Sequence, residues 1–270
     1  MRKNVDFVFI TLVYRNFEDL YDLCNSLKRN VVSSYEVVVV DSFYDEKTSA
    51  KISECSKELE CHYLCTKNKG YGHGNNCGID YAQGMFAYKY IFICNPDTIL
   101  KSKLSYNMLE ENDMCIAPQI IARNGKKQNP YWVCENKLSE FLIYKGYKKN
   151  NKFLLYAGIG INKIIRELFN IYIKCSRKSK IPIYACHGSF FAMSEKFIKQ
   201  SKFKYDEQMF LFYEEAYLAK KIKDYDTKIY YYKNIIVEHK EDGSMDLANI
   251  EEYSHLKKAY LHYYEQYREK

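Results

Sequence analysis

Residues Tyr90–Thr98 read Y-I-F-I-C-N-P-D-T, and this stretch decides the fold class. An apolar run of strand length stops at Asn95-Pro96, where proline lacks the amide hydrogen needed to continue a central ladder. The strand ends there and delivers one carboxylate, Asp97, to its C-terminal end. In open α/β sheets, ligands bind in the crevice beyond the strand carboxyl ends. A single acidic side chain in that crevice suits a hard divalent cation shared with a diphosphate.

Working outward, Val5–Val13 is a continuous apolar run and Phe17–Leu27 carries apolar residues at helical spacing. Glu36–Val40 reads as a second buried strand, Glu46–Leu59 as a helix, His62–Thr66 as a third strand and Asn76–Met85 as a helix. Tyr90–Cys94 is then the fourth strand. Runs this apolar belong to strands covered on both faces. The alternation predicts an α/β fold with a Rossmann-like, mainly parallel central sheet and helices on both faces. Further on, Cys115–Ile121 and Ala185–Met193 read as strands, with an irregular basic segment between them. Tyr213–Lys223 reads as a helix, Lys228–Tyr232 and Ile235–Glu238 as short strands, and Leu247–Tyr267 as a closing helix. With no repeat, no low-complexity tract and four prolines in 270 residues, one domain over 1–270 is expected.

At 47% hydrophobic and 28% charged residues the composition is that of a globular protein. No window approaches the ~18 apolar residues of a membrane span. Asp6 interrupts any apolar region after Arg2 and Lys3, so no signal peptide is expected. Ten scattered cysteines without a C-x-x-C suggest reduced thiols and a cytoplasmic setting. Cys61-x-x-x-Cys65, with His62 between, lacks a second ligand pair for zinc. Cys94 and Cys186 read as small core residues. The net charge of +7 is concentrated: Lys137–Lys180 holds eleven basic residues against two acidic ones, interleaved with apolar clusters. No nucleic-acid-binding module accompanies it, so no nucleic-acid partner is expected. The segment is either a solvated lysine-rich face or a surface that rests on anionic lipid.

Several further segments carry chemistry. Asp41 closes the second strand in V-V-V-V-D-S, where a carboxylate either accepts hydrogen bonds from a base or ribose or caps the next turn. Asn68–Gly78, N-K-G-Y-G-H-G-N-N-C-G, reads as a glycine-rich loop between strand and helix, suited to close approach of phosphate. In D-E-Q-M-F-L-F-Y-E-E-A-Y-L, Glu214 and Glu215 open a helix. They favour the macrodipole there, or one of them, desolvated by Phe210, Phe212 and Tyr213, serves as a general base. His239 ends a strand, either as a structural residue or as a metal ligand completing the shell begun by Asp97. In His187-Gly188-Ser189-Phe190, Gly188 suggests close approach to the backbone.

In chain order these segments resemble family 2 glycosyltransferases of the GT-A fold. The likeness is greatest to bacterial members that build capsular, exopolysaccharide and lipopolysaccharide chains, including rhamnosyltransferase-like members. T-L-V-Y-R-N at Thr11–Asn16 resembles the opening strand and turn, and V-V-D-S resembles the element whose Asp meets the nucleoside. N-K-G-Y-G with Asn76 and Gly78 resembles the donor-side stretch, and N-P-D at Asn95–Asp97 a variant D-x-D. H-G-S-F-F resembles the cleft-lining strand, F-L-F-Y-E-E-x-x-L the base element and V-E-H-K-E-D-G-S the closing element. Two departures stand out: Asn95 replaces the first acid of the metal element, and Glu-Glu replaces Glu-Asp.

The resemblance implies an inverting, metal-dependent hexosyl-type transferase acting on a UDP- or dTDP-linked sugar. The acceptor would be a glycan or a polyprenyl-diphosphate-linked glycan. It implies Mg²⁺ or Mn²⁺ held by Asp97 and His239, and a base at Glu215, with Glu214 as its alternative. Nucleotide-sugar contacts are implied at Thr11, Tyr14, Asn16, Asp41, Asn68, Gly70, Tyr71, Asn76, Asn95, Gly188 and Ser189. Residues 1–100 would form the nucleotide-sugar half, 101–240 the acceptor and catalytic half, and 241–270 the C-terminal helix. Within Ile116–Phe203, Trp132 and several tyrosines are candidates to stack on sugar rings. The expected location is cytoplasmic, with peripheral contact to the inner membrane face through 137–180. Two rivals remain. A sugar-nucleotide pyrophosphorylase needs a glycine-rich basic loop after the first strand, where Val13-Tyr14-Arg15-Asn16 offers one arginine and no glycine. A non-catalytic nucleotide-sugar-binding protein has no need of Asp97, the Glu pair and His239.

Overall fold

A computed structural model describes residues 2–240 and 252–268. After a short β1 (Lys3–Asn4) come β2 (Phe7–Val13), α1 (Asp19–Asn30), β3 (Tyr35–Phe43), α2 (Glu46–Glu58), β4 (His62–Lys67) and α3 (Tyr71–Met85). Next are a short β5 (Phe86–Ala87), β6 (Tyr90–Cys94), β7 (Thr98–Leu100) and β8 (Cys115–Ala122). Then follow α4 (Lys137–Lys148), α5 (Lys152–Cys175), β9 (Lys180–Ile183), β10 (Phe190–Ser194) and α6 (Glu195–Ser201). The described chain closes with α7 (Glu214–Asp224), β11 (Ile229–His239) and α8 (Glu252–Tyr267).

The main sheet runs β4-β3-β2-β6-β10-β8-β11-β7, with β9 on β11. The half made of β4, β3, β2 and β6 is parallel. Alternate side chains of β2 enter two separate cores, which is why the run is apolar throughout. Phe7 and Phe9 pack with Leu20, Leu23 and Leu27 of α1 and Ile52 of α2. Val8 and Ile10 face the other way, with Ile79 and Ala82 of α3. The expected α/β architecture is present and its parallel character holds in part: β11 also pairs parallel with β8, and antiparallel strands make the sheet mixed. Strand β10 lies antiparallel between β6 and β8, and β11 is antiparallel to β7 and β9. The register Phe190↔Cys94 sets the start of β10 beside the end of β6. Asn95 N–H donates to the Ser189 carbonyl at 2.7 Å there.

Three local expectations change. The glycine-rich stretch is not a loop through Gly78, because α3 starts at Tyr71. A Cβ at Gly74 would lie 2.3 Å from Leu12 Cδ1, and one at Gly78 2.5 Å from Ile10 Cγ2. Four residues apart, these glycines share a helix face and let α3 lie directly on the sheet. The basic segment expected to be irregular is a helical hairpin. Asn136 and Asn151 cap its two helices by accepting from Ser139 N–H and Leu154 N–H. Ile229–His239 is one strand, with a register irregularity between Tyr232 and Ile236, where two short strands were expected. Helix α8 packs on α4 through Tyr264 stacked on Tyr144 at 4.2 Å, and Tyr260 OH donates to the Glu140 carbonyl at 2.9 Å. The expected first turn of the closing helix, Leu247–Ile250, and Ser244 of the closing element lie outside the described residues.

Candidate active site

A cavity of about 750 Å³ opens where the strand ends of the two sheet halves meet. Leu12 of β2 borders it, with Tyr14 and Asn16 just after that strand and Asn95, Pro96 and Asp97 after β6. Gly188 and Ser189 come from the start of β10, His239 from the end of β11, and Glu214 and Glu215 from the first turn of α7. Residues far apart in the sequence thus meet around one space.

Asp97 is 3% exposed, and His239 Nε2 stands 3.3 Å from its Oδ2. The other ring nitrogen, Nδ1, is 2.8 Å from Gln128 Oε1. An amide oxygen only accepts, so Nδ1 carries the hydrogen and donates. In the neutral ring, Nε2 then turns its lone pair toward a carboxylate oxygen. That contact is favourable only with a positive charge between them, supplied by a proton or a cation. One imidazole nitrogen and one carboxylate oxygen suit a divalent ion whose remaining positions are filled by diphosphate oxygens and water. The donor set therefore fits Mg²⁺ or Mn²⁺. Among the described residues, no group of three or more His, Cys, Asp or Glu forms a closed metal site. His187 stands beside the pair, its ring 5.6 Å from that of His239. Burial, and next the charge of His239, push His187 down to about 3 and keep it neutral.

Phe212 and Tyr213 precede α7 with φ of 76° and 67°. Non-glycine residues rarely take this left-handed conformation, and paired instances mark sites where geometry is imposed. Gly70, at φ 104°, adjoins the same loop: a Cβ there would lie 2.3 Å from the Phe210 carbonyl oxygen, to which Tyr71 N–H donates at 2.8 Å. Tyr71 OH in turn donates to the Gly188 carbonyl at 3.0 Å. The loop's arrangement aims both glutamates inward. Glu215 Oε1 accepts from Gly188 N–H at 3.2 Å, whereas Glu214 Oε1 is buried without a partner. Burial, and next the neighbouring Glu215, push the Glu214 carboxyl well above the usual carboxylate range. Burial also raises Glu215, and backbone N–H groups including that of Gly188 oppose the rise. Both carboxyls are raised by burial, and the hydrogen bond from Gly188 N–H favours the ionised form of Glu215.

Of the expected nucleotide-sugar contacts, Tyr14, Asn16, Asn68, Gly70, Tyr71, Asn95, Gly188 and Ser189 line the cavity. Thr11, Asp41 and Asn76 are not among the lining residues. Thr11 is fully buried and its hydroxyl has no partner. Asp41 is 1% exposed; its Oδ2 accepts from Tyr63 OH at 2.8 Å and from Ser49, while its Oδ1 is unpartnered. Its neighbour Ser42 lines the cavity. Asn76 is a strut: its amide donates to the Tyr205 carbonyl at 3.0 Å and accepts from Tyr205 N–H at 2.8 Å, tying α3 to the segment before α7. Trp132 is buried and stacks on Tyr131 and Tyr184, so it backs the wall while Tyr131 faces the space. The sequence reading missed Gln128, Tyr131, His255 and Leu256 as lining residues. The first two sit in a loop with no periodic signature, and the last two are brought in by docking of α8.

Residues 8–200 match the family model described as Glycosyl transferase family 2. Among solved structures, the chain is similar to S. aureus TarS at 13% identity, with a TM-score of 0.56 over 87% of this chain and 36% of that one. It is similar to GalNAc-T7, solved with UDP, GalNAc and Mn²⁺, at 14% identity and a TM-score of 0.56, over 87% of this chain and 43% of that one. The 1–349 portion of S. aureus TarS, in complex with UDP, gives 12% identity and a TM-score of 0.54, over 87% and 60%. At such identities the likeness concerns the fold, and the chain spans less than two-thirds of each of these proteins. No curated protein matches it in sequence.

Proposed function

This chain belongs to glycosyl transferase family 2, and on that premise we propose that it is an inverting, metal-dependent transferase of cell-surface polysaccharide synthesis. It moves a sugar from a UDP- or dTDP-linked donor to a hydroxyl of a glycan or a polyprenyl-diphosphate-linked glycan, on the cytoplasmic side. The observation that carries this reading is the convergence of the Asp97–His239 pair and Glu215 on one cavity.

Tyr14, Asn16, Asn68 and Gly70 border the space on the β2 and α3 side and hold the nucleoside. Asp41, whose Oδ1 is buried without a partner, backs this wall next to Ser42, the residue that lines the cavity. Asp97 and His239 hold the divalent ion, which when bound offsets the charge developing on the leaving diphosphate. Glu215, fixed by Gly188 N–H, takes the proton of the acceptor hydroxyl as that oxygen attacks the face opposite the leaving group. Such proton transfer contributes ~10²–10⁴-fold. Glu214, kept protonated, adds no second negative charge beside the attacking oxygen.

Glu215→Gln is expected to lower transfer by ~10²–10⁴-fold with melting temperature and donor affinity little changed. Asp97→Asn and EDTA should each remove transfer, with Mn²⁺ restoring the wild type only. Full turnover in Glu215→Gln, or activity indifferent to EDTA, would sink the assignment of base or of metal respectively.

A further inference from the structure

Helix α5 spans 24 residues, about 36 Å at ~1.5 Å per residue. At ~100° per residue its side chains divide into three lines. Leu155, Phe169 and Ile173 are buried against the domain. Phe153, Ile164, Leu168 and Ile171 form a second line facing outward, at 80%, 64%, 62% and 61% exposure. Lys152, Lys163 and Lys174, spaced eleven apart, form a third line beside it, all exposed. Leu138 of α4 is likewise exposed, at 61%. Residues 137–180 carry eleven basic and two acidic side chains, net +9 in a chain of +7, so the remainder carries −2. No helix among the described residues is long and apolar enough to cross a membrane.

We infer that this face lies in the plane of a bilayer containing anionic lipid, with the apolar line in the acyl boundary and the lysine line at the headgroups. A strip of large aliphatic and aromatic side chains beside a line of lysines is the composition of an interfacial helix. Charge complementarity selects the occupant: a second copy would bring two strongly basic faces together, whereas anionic headgroups neutralise one. The hairpin also adjoins the cavity. Arg166 of α5 exerts its charge on His187 and Tyr131, and α4 packs against α8, which supplies His255 and Leu256 to the lining. Docking therefore holds the cavity at the headgroup level, where the acceptor class is a lipid-linked glycan. That last clause rests on the glycosyl-transfer reading, while the docking does not.

The test is co-sedimentation of the full chain with vesicles, without any substrate. Vesicles of 30 mol% phosphatidylglycerol in phosphatidylcholine should bind it, and pure phosphatidylcholine much less. Neutralising the lysine line (Lys152→Gln, Lys163→Gln, Lys174→Gln) should weaken partitioning about 100-fold, at about fivefold per lysine. Ile164→Ser, Leu168→Ser and Ile171→Ser together should weaken it at least as much, with melting temperature and transfer to a soluble acceptor retained. Binding that persists after the lysines are neutralised, or that is equal on neutral vesicles, overturns the proposal. A dimer in sedimentation velocity that the serine variants dissociate also overturns it, in favour of a second copy. Loss of transfer with vesicle binding intact would instead indict the catalytic reading alone.

Discussion

Replacing Gly188 with alanine tests whether the carboxylate of Glu215 is positioned or merely present. The backbone at 188 is not left-handed, so alanine is allowed there conformationally. Its Cβ would stand 2.7 Å from Glu215 Oε1 and 3.3 Å from Cδ. Ordinary contact begins near 3.4 Å, so the carboxylate must retreat by about 0.7 Å and its hydrogen bond from Gly188 N–H lengthens. The atoms that yield are the end of a flexible side chain, so folding loses little. Catalysis loses more, because a displacement near 1 Å from productive geometry costs on the order of 10²-fold, about 2.7 kcal/mol of transition-state stabilisation. The assay is release of nucleoside diphosphate under saturating donor and acceptor, alongside donor affinity and melting temperature. The expected pattern is kcat down ~10²-fold with donor affinity and stability near wild type. A Gly188→Ala enzyme at full rate would refute the positional role of this hydrogen bond. A variant that lost rate only because it unfolded would refute the claim that Glu215 alone yields.

Two predictions concern stability. Glu214 has a folded-state pKa raised by burial, so its contribution is full below the unfolded value near 4.5 and is lost as pH rises through the folded value. Glu214→Gln should therefore match wild type near pH 4.5 and be the more stable by about 1–3 kcal/mol at pH 8; a difference independent of pH in thermal melts would contradict the buried proton. In α3, Gly78→Ala sets a Cβ against Ile10 and Val40, fully buried β-branched residues that cannot retreat. Overpacking of ~1–3 kcal/mol should exceed the ~1 kcal/mol helix-propensity gain. Gly84→Ala, with nothing within 4 Å, should show that gain alone, and equal melting shifts for the two would dismiss the close approach.

Much of this molecule is legible in its chain. Tyr90–Cys94 is recovered residue for residue as β6, because proline ends a strand by covalent geometry rather than by context. The parallel half follows from runs apolar on both faces. What escaped notice is what tertiary contact decides. The order β6-β10-β8 requires knowing that a strand near residue 190 returns beside one near 94. Gly72 and Gly74 suggest a loop by composition, and only Tyr205 and Leu12, packed against α3, explain why a helix needs them. Helices α4 and α5 were obscured because one face of α5 is apolar where no protein covers it, which blurs the helical period. At the site, Asp97, His239 and the Glu pair announce themselves as acids and imidazole at element ends. Asn76 has the same polar character, yet its work is to hold Tyr205.

The interposed strand β10 has one more implication. Because it pairs on both sides, with β6 and with β8, its place is secured by ladders independent of the route taken between residues 123 and 189. The hairpin of α4 and α5 is thus an excursion from those ladders, tied back to the cavity through its packing on α8 and the buried side of α5. Exchanging its outward face for one of different chemistry, with the inner face and the α8 contact kept, would readdress the protein to a new surface while leaving the cavity lining in place. Grafting at that point is accordingly a route to altering where such a catalyst acts without altering what it does.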